Sequence, residues 1–183
     1  MAVEVEGVRK VVINDISPEA VKLAGFNVEH NDLGERIFVA NEDANLLLNR
    51  YAAPRKRFDY IDVDPFGSPI PYVDSAVRAL RDGGLLALTA TDMAPLCGVH
   101  PKACLRRYGG KPLRTEYCHE LAVRLLLGGL AMIAARHDVG VDPMFSYSDY
   151  NYVRTYAVVH YGAKQADNIL KNMGNILQCI ACF

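Results

Sequence analysis

Apolar and polar positions alternate between two periods along this chain, and the alternation predicts a layered α/β fold. A short buried strand is expected over Val11–Asp15, followed by a helix over 18–30. Ser17-Pro18-Glu19 opens that helix: Ser17 can cap it, Pro18 suits its first turn and Glu19 suits the helix dipole. A second strand is expected over 37–40, and Asp43-Ala44-Asn45 opens a second helix running through 48. A third strand is expected over Phe58–Val63 and a third helix over 72–80, stopped by Gly83-Gly84 before a strand over 85–89. Residues 92–114, rich in Pro, Gly and Arg, read as a long loop. Residues 116–136 carry the strongest helical pattern, and 144–147 with 152–161 read as a closing antiparallel pair. Strands alternating with helices imply a mostly parallel sheet covered on both faces.

The polar segment 163–175 reads as a helix or linker, and a boundary is expected at Gly174. Residues 1–174 are then one α/β domain, with 175–183 the start of another. Composition leaves this picture intact. The 183 residues suffice for one α/β core, and a net charge of −1 means that any nucleic-acid contact needs a local basic patch. No apolar run of the roughly 18 residues needed to span a membrane stands out, and the first residues lack the plan of a signal peptide. Five cysteines without framework spacing point to a reducing cytosol, so a cytoplasmic location is expected.

Candidate chemistry gathers at the strand ends, where open α/β sheets hold their ligands. Asp15 ends the first strand and can hold ribose hydroxyls; alone it is as readily a solvated loop acid or a cap. Asp43 ends the second strand and can accept an adenine amino proton, with the Ala44 N–H meeting a ring nitrogen; a helix N-cap is the plain alternative. The third strand runs into Asp62-Val63-Asp64-Pro65-Phe66-Gly67-Ser68-Pro69. An acid, a proline and an aromatic at such a place suit transfer of a methyl group to a nucleobase amine. The Asp64 carboxylate and the Pro65 carbonyl can accept both N–H groups, aiming the nitrogen lone pair. Asp64 can also take a proton, and Phe66 can stack on the base. The plain alternative is a tight turn with a core phenylalanine. The role of Asp62 stays open.

Lys102, Arg106, Arg107, Lys111 and Arg114, with Tyr108 among them, form a basic stretch that can meet phosphates or simply be solvated. Cys97, His100, Cys104, Cys118 and His119 include metal-ligand types, but their spacing fits no common zinc pattern; buried thiols and a helix-face histidine are the expectation. Cys179 and Cys182 form half of a four-cysteine zinc site, and no second pair follows.

Taken together, several stretches are specific. Asn14-Asp15-Ile16-Ser17, Asp43-Ala44-Asn45, residues 62–69, Thr89-Ala90-Thr91-Asp92, Ala94-Pro95-Leu96-Cys97-Gly98 and Cys118-His119-Glu120 resemble the archaeal branch of the tRNA (guanine-26) dimethyltransferase family. The resemblance covers 11–183. It implies a class I, Rossmann-like methyltransferase fold, S-adenosylmethionine as methyl donor, and one or two methylations of the 2-amino group of a tRNA guanine. It further implies that Asp15 binds the donor's ribose, Asp43 and Ala44 its adenine, and Asp64 and Phe66 the target base. Cys179 and Cys182 match the first cysteine pair of a carboxy-terminal, zinc-ribbon-like tRNA-binding domain. The family's first central strand, with its glycine-rich loop, is absent from this sequence, as is most of that last domain. The expected sheet is therefore incomplete, with a gap or a misjoined edge, and the chain alone is expected to be nearly inactive. Two other readings share the residues: an adenine amino-methyltransferase, and a catalytically silent tRNA-binding module. A nicotinamide dehydrogenase is disfavoured by the lack of a glycine fingerprint.

Overall fold

The computed structural model describes residues 6–179 and residue 181. In chain order its elements are β1 (Val11–Asp15), α1 (Pro18–His30), β2 (Ile37–Asn41), α2 (Ala44–Tyr51), β3 (Phe58–Val63), α3 (Ile70–Ala79) and β4 (Leu80–Ala90). There follow α4 (Met93–Leu96), α5 (Pro101–Tyr108), α6 (Cys118–Ala135), β5 (Val139–Ser148), β6 (Val153–Tyr161) and α7 (Ala163–Lys171). The chain divides into two compact units, Met1–Arg50 and Tyr51–Phe183.

In the first unit β1 and β2 pair in parallel, Val11 opposite Ile37 through Asp15 opposite Asn41, with α1 packed on them. The Ser17 hydroxyl caps α1 by accepting from the Ala20 N–H at 3.4 Å, with Pro18 in the first turn, as the sequence leads one to expect. Few large side chains are buried here: Val28, Leu47 and Leu48. Leu23, Phe26, Phe38 and Leu46 are exposed.

The second unit holds a four-stranded sheet in the order β3-β4-β6-β5. β3 and β4 are parallel, while β6 runs antiparallel to both β4 and β5. β4 is the axis: Leu80, Leu86, Ala87, Leu88 and Ala90 are fully buried. They pack with Val73 and Val77 of α3, Leu126 and Leu130 of α6, and Val153 and Val159 of β6 in one core. Helix α6 is long and apolar enough to cross a membrane by length and composition alone. Its apolarity is accounted for by packing against β5, α7 and α3, with Leu121, Leu126, Leu130 and Ala134 buried.

Among the described residues the strands form two ladders, one in each unit. β1 pairs with β2 and β3 with β4, and no ladder joins the two pieces. Three local expectations are corrected. Residues 92–114 are not one loop but carry α4 and α5. Their prolines flank or open the helices, with Pro101 in the first turn of α5 and Gly109 closing it. Helix α3 ends at Ala79, within a residue of the expected 80, but β4 begins at once at Leu80 rather than at 85, because that side chain is drawn into the core. Tyr161 fixes this turn: its hydroxyl donates to the Leu80 carbonyl at 3.0 Å, and its N–H donates to Asp82 at 2.9 Å. Strand β5 is also longer than expected, starting at Val139.

The core assignment sets a stability test. Leu86→Ala removes a fully buried side chain at the centre of β4 and is expected to destabilise the second unit by about 2–5 kcal/mol. Leu23→Ala, on an exposed helical position, is expected to stay within about 0.5 kcal/mol. Urea unfolding followed by tyrosine fluorescence reads both, since the chain has no tryptophan.

Candidate functional site

The Asp64–Gly67 turn leaves the carboxyl end of β3 and enters α3. Its shape comes from three local constraints. Gly67 takes φ +87°, a left-handed conformation that favours glycine. Its N–H donates to the Thr91 hydroxyl at 2.7 Å, and its carbonyl accepts from the Thr91 N–H at 2.9 Å. This reciprocal pair ties the turn to the residue just past the end of β4. Ser68 then accepts from the Ile70 N–H at 3.4 Å as α3 begins.

The turn holds Asp64 exposed, Pro65 half-buried and Phe66 at 105% relative exposure. A phenylalanine kept for packing would be in the core. This ring stands clear of the protein at the strand end, so the reading of Phe66 as a core residue is overturned.

Asp62 now has a place. Its carboxylate accepts from Arg154 of β6 at 2.6 Å and from the Tyr60 hydroxyl at 2.9 Å. Arg154 also donates to the Tyr156 hydroxyl at 2.7 Å and to Thr89 of β4. One guanidinium thus ties three strands at their site end, β3, β4 and β6. Burial works against its charge, but the bonds to Asp62 and Tyr156 outweigh it and hold Arg154 above its usual range. Burial first, and then the bond to Asp62, push the Tyr60 phenol up, so it stays a neutral donor. Sequence reasoning missed Arg154, whose partner Asp62 lies 92 residues away in the chain.

A second anchor follows β4. The Asp92 carboxylate, 8% exposed, accepts from Arg107 at 2.8 Å and from the Tyr108 hydroxyl. Burial, and then this bond, raise the Tyr108 phenol. Of the basic candidates, Arg107 is thus held in an ion pair. Lys102 and Arg106 lie exposed on α5, one turn apart, and Lys111 and Arg114 lie exposed beyond Gly109.

In the first unit the structure gathers Asp15, Asp43 and Ala44 at one end of the β1–β2 pair. The Asn41 side chain donates to the carbonyls of Asp15 and Ile16 at 2.9 and 3.0 Å, which locks the two strand ends together. Asp15 accepts from the Ser17 N–H at 2.8 Å, and Asp43 accepts from Asn45 and Leu46 at 2.8 and 3.1 Å. Asp43 therefore caps α2, whereas Asp15 closes a turn onto Ser17, the residue that caps α1; both acids stay exposed, with Ala44 half-buried.

Cys97, Cys118 and His119 also converge, with ligand atoms all within 4.8 Å of one another. Their sequence spacing gives no sign of this convergence. Cys104 of α5 is fully buried and close enough to act on the Cys97 thiol electrostatically. Burial, and then the bond with Cys118, push the Cys97 thiol up to about 12. Burial, and then the Asp92 charge, push Cys104 up to about 11. Cys179 is exposed, its sulfur accepting from the Ala181 N–H at 3.4 Å, and Cys182 lies outside the described residues. A polar cleft of about 440 Å³, lined by Arg55, Arg57, Asp59 and Arg81 among others, lies by the opposite, amino end of β3 and contains none of these groups.

Two outcomes test this geometry. Thr91→Val keeps the shape but removes the acceptor for the Gly67 N–H, a bond worth about 1 kcal/mol. Amide exchange at Gly67 is expected to speed up by about fivefold while exchange in the core of β4 is unchanged. For Cys104, the folded state holds its proton to about pH 11, whereas an unfolded thiol releases it near 8.5. The folded state therefore binds more protons in that window. The stabilising contribution is full below about pH 8.5 and is lost as pH rises toward 11. Cys104→Ala is expected to flatten the fall of unfolding free energy over that range, as read by urea titrations at each pH.

Comparison with known proteins matches this arrangement. The family model described as N2,N2-dimethylguanosine tRNA methyltransferase matches residues 1–183. A tRNA (guanine(26)-N(2))-dimethyltransferase of Methanothermobacter thermautotrophicus is 44% identical over 180 residues, which is 98% of this chain and 46% of the relative. Its counterpart in Pyrobaculum islandicum is 45% identical over 175 residues, 96% of this chain and 48% of the relative. The chain thus spans about half the length of the curated relatives it matches. Among solved structures, Trm1 from Pyrococcus horikoshii in complex with S-adenosyl-L-methionine superposes with a TM-score of 0.83 at 40% identity. That match covers 88% of this chain and 47% of the other. Pyrococcus horikoshii TYW2 with MeSAdo, at 14% identity and a TM-score of 0.56 over 82% of this chain and 48% of that one, shares the fold alone. The fold is that of S-adenosylmethionine-dependent methyltransferases, and with the strand-end motif in its place and a family match across its full length, this chain belongs to the N2,N2-dimethylguanosine tRNA methyltransferase family.

Proposed function

We propose that this chain carries the base-holding and donor-holding strand ends of a tRNA guanine-N2-methyltransferase. The enzyme would methylate the exocyclic amine of guanine 26 once or twice and act in the cytoplasm. The observation that carries this reading is the fully exposed Phe66 on a turn clamped at Gly67, directly after Asp64 and Pro65.

A guanine amino nitrogen is a poor nucleophile because its lone pair is delocalised into the ring. Asp64 and the Pro65 carbonyl each accept a hydrogen bond from one of its N–H groups, which aims the lone pair at the incoming methyl group. The amine gains positive charge as the new C–N bond forms, and the Asp64 carboxylate stabilises that charge and takes the proton. Phe66 stacks on the extruded base, a contact worth about 1–3 kcal/mol. The relation to Trm1 supports S-adenosylmethionine as the donor, which supplies an electrophilic methyl group when bound. The residues present fit it: Asp15 at the end of β1 would hold the ribose hydroxyls, and Asp43 with the Ala44 N–H would meet the adenine edge. Lys102, Arg106, Lys111 and Arg114 are exposed cations that can meet tRNA phosphates. Cys179 with Cys182 would contribute to a structural zinc site only together with two further ligands.

The test is methyl transfer from labelled S-adenosylmethionine to unmodified tRNA. It uses this chain alone and this chain joined to the remaining segments of the Methanothermobacter relative. Activity on guanine in the joined protein is expected, falling by at least about a hundredfold in Asp64→Ala. Phe66→Ala is expected to lower kcat/KM by about 5–150-fold, in line with the stacking energy. Label on adenine instead, or an Asp64→Ala protein as active as its parent, would overturn the assignment.

A further inference from the structure

Cys97, Cys118 and His119 are not used by the proposed reaction, yet the fold brings them together from two segments. Cys97 closes α4, its N–H donating to the Met93 carbonyl at 2.7 Å. Cys118 and His119 are the first two residues of α6. The approach of the segments is built into the backbone beside the cluster. Gly98 has φ +86°, and a Cβ there would lie 2.9 Å from the Arg114 nitrogen and 3.0 Å from the Leu113 carbonyl carbon. The chain at 97–98 therefore lies against the chain at 113–114, and only a glycine permits the contact. Three side chains with soft donor atoms then meet within 4.8 Å, each half-buried.

We propose that Cys97, Cys118 and His119 form a binding site for a soft divalent cation, zinc by donor type, with one coordination position left open. In tetrahedral zinc, bond lengths of about 2.3 Å to sulfur and 2.0–2.1 Å to nitrogen set ligand atoms about 3.5–3.8 Å apart. Thiolate and imidazole donors select zinc over magnesium and calcium, which take oxygen. Charge balances as well: two thiolates neutralise the 2+ ion, which suits a half-buried position. Binding releases the two thiol protons to solvent, so affinity falls as pH falls. With three protein ligands the fourth position takes water. The ion ties the end of α4 to the start of α6, next to the segment that bears Lys111 and Arg114.

Cobalt(II) titration of the 183-residue chain tests the site, because thiolate–cobalt charge transfer absorbs in the near ultraviolet and reports sulfur ligation directly. Cys179→Ser and Cys182→Ser are made together first, so that this pair cannot contribute. One equivalent of cobalt per chain with the charge-transfer band is expected, displaced by zinc. Loss of a ligand in Cys97→Ala or Cys118→Ala is expected to weaken binding by more than the 10–100-fold cost of losing an outer-sphere partner. His119→Gln is expected to keep the thiolate band but change the visible ligand-field bands. Cys104→Ala, outside the trio, is expected to bind as the parent does. Absence of the band in the chain lacking only Cys179 and Cys182 would overturn the site without requiring any cluster variant to fold. So would an unchanged cobalt affinity in Cys97→Ala of native circular dichroism.

Discussion

The parallel pairing of β3 with β4, continued past both strands by the Gly67–Thr91 clamp, is the constraint on which the rest of this site depends. Ladder bonds set the two strand ends level, Val63 beside Leu88. The clamp between Gly67 and Thr91 then holds the turn that follows β3. A loop fixed in this way can present an aromatic ring to solvent without collapsing it onto the core. Burying such a ring is otherwise favourable by about 1.5–3 kcal/mol, and the backbone geometry at Gly67 opposes that collapse. The fully buried face of β4 supplies the rigidity behind it.

The polar network behind the turn follows from the same strand ends. Asp62 points into a site edge that Arg154, Tyr60, Tyr156 and Thr89 fill with hydrogen bonds. Arg154 is the more buried partner, and the fork of its guanidinium serves several acceptors at once. The result separates two acids two residues apart in the chain. Asp62 is consumed by structure, while Asp64 stands exposed beyond it, open to an incoming amine. Asp15 and Asp43 show a compromise between these extremes. Each uses a carboxylate oxygen to satisfy helix-start N–H groups, and a carboxylate has a second oxygen with its own acceptor sites. These bonds therefore orient the acids without removing them as ligands.

Much of this was legible in the residues themselves. Strands and helices near 11–63 follow from hydrophobic period and cap chemistry, both local properties, and the Asp64–Gly67 turn was recognisable from its residue types alone. Three features were not. Helices α4 and α5 were hidden because proline and glycine punctuate helix ends as often as loops, and only packing distinguishes the two. The exposure of Phe66 could not be read because a phenylalanine after a strand is equally compatible with a core. Arg154 and the Cys97, Cys118 and His119 cluster depend on which segments the fold brings together, and no spacing rule encodes that.

The two-piece sheet has a physical consequence for the first unit. A two-stranded ribbon with one packed helix buries little apolar surface, and such a ribbon is marginal in water by itself. Here Leu23, Phe26, Phe38 and Leu46 remain exposed, although a helix and strand of this composition would bury them if both faces of the sheet were covered. The second unit shows the contrast, since β4 has a paired strand on each side, and Leu86 through Ala90 are buried. Rigidity is therefore unequally shared between the two sets of strand ends. The turn that bears Asp64 and Phe66 is backed by a full core. The end that bears Asp15 and Asp43 relies on the Asn41 side chain and two helix caps, so its geometry depends far more on local hydrogen bonds than on packing.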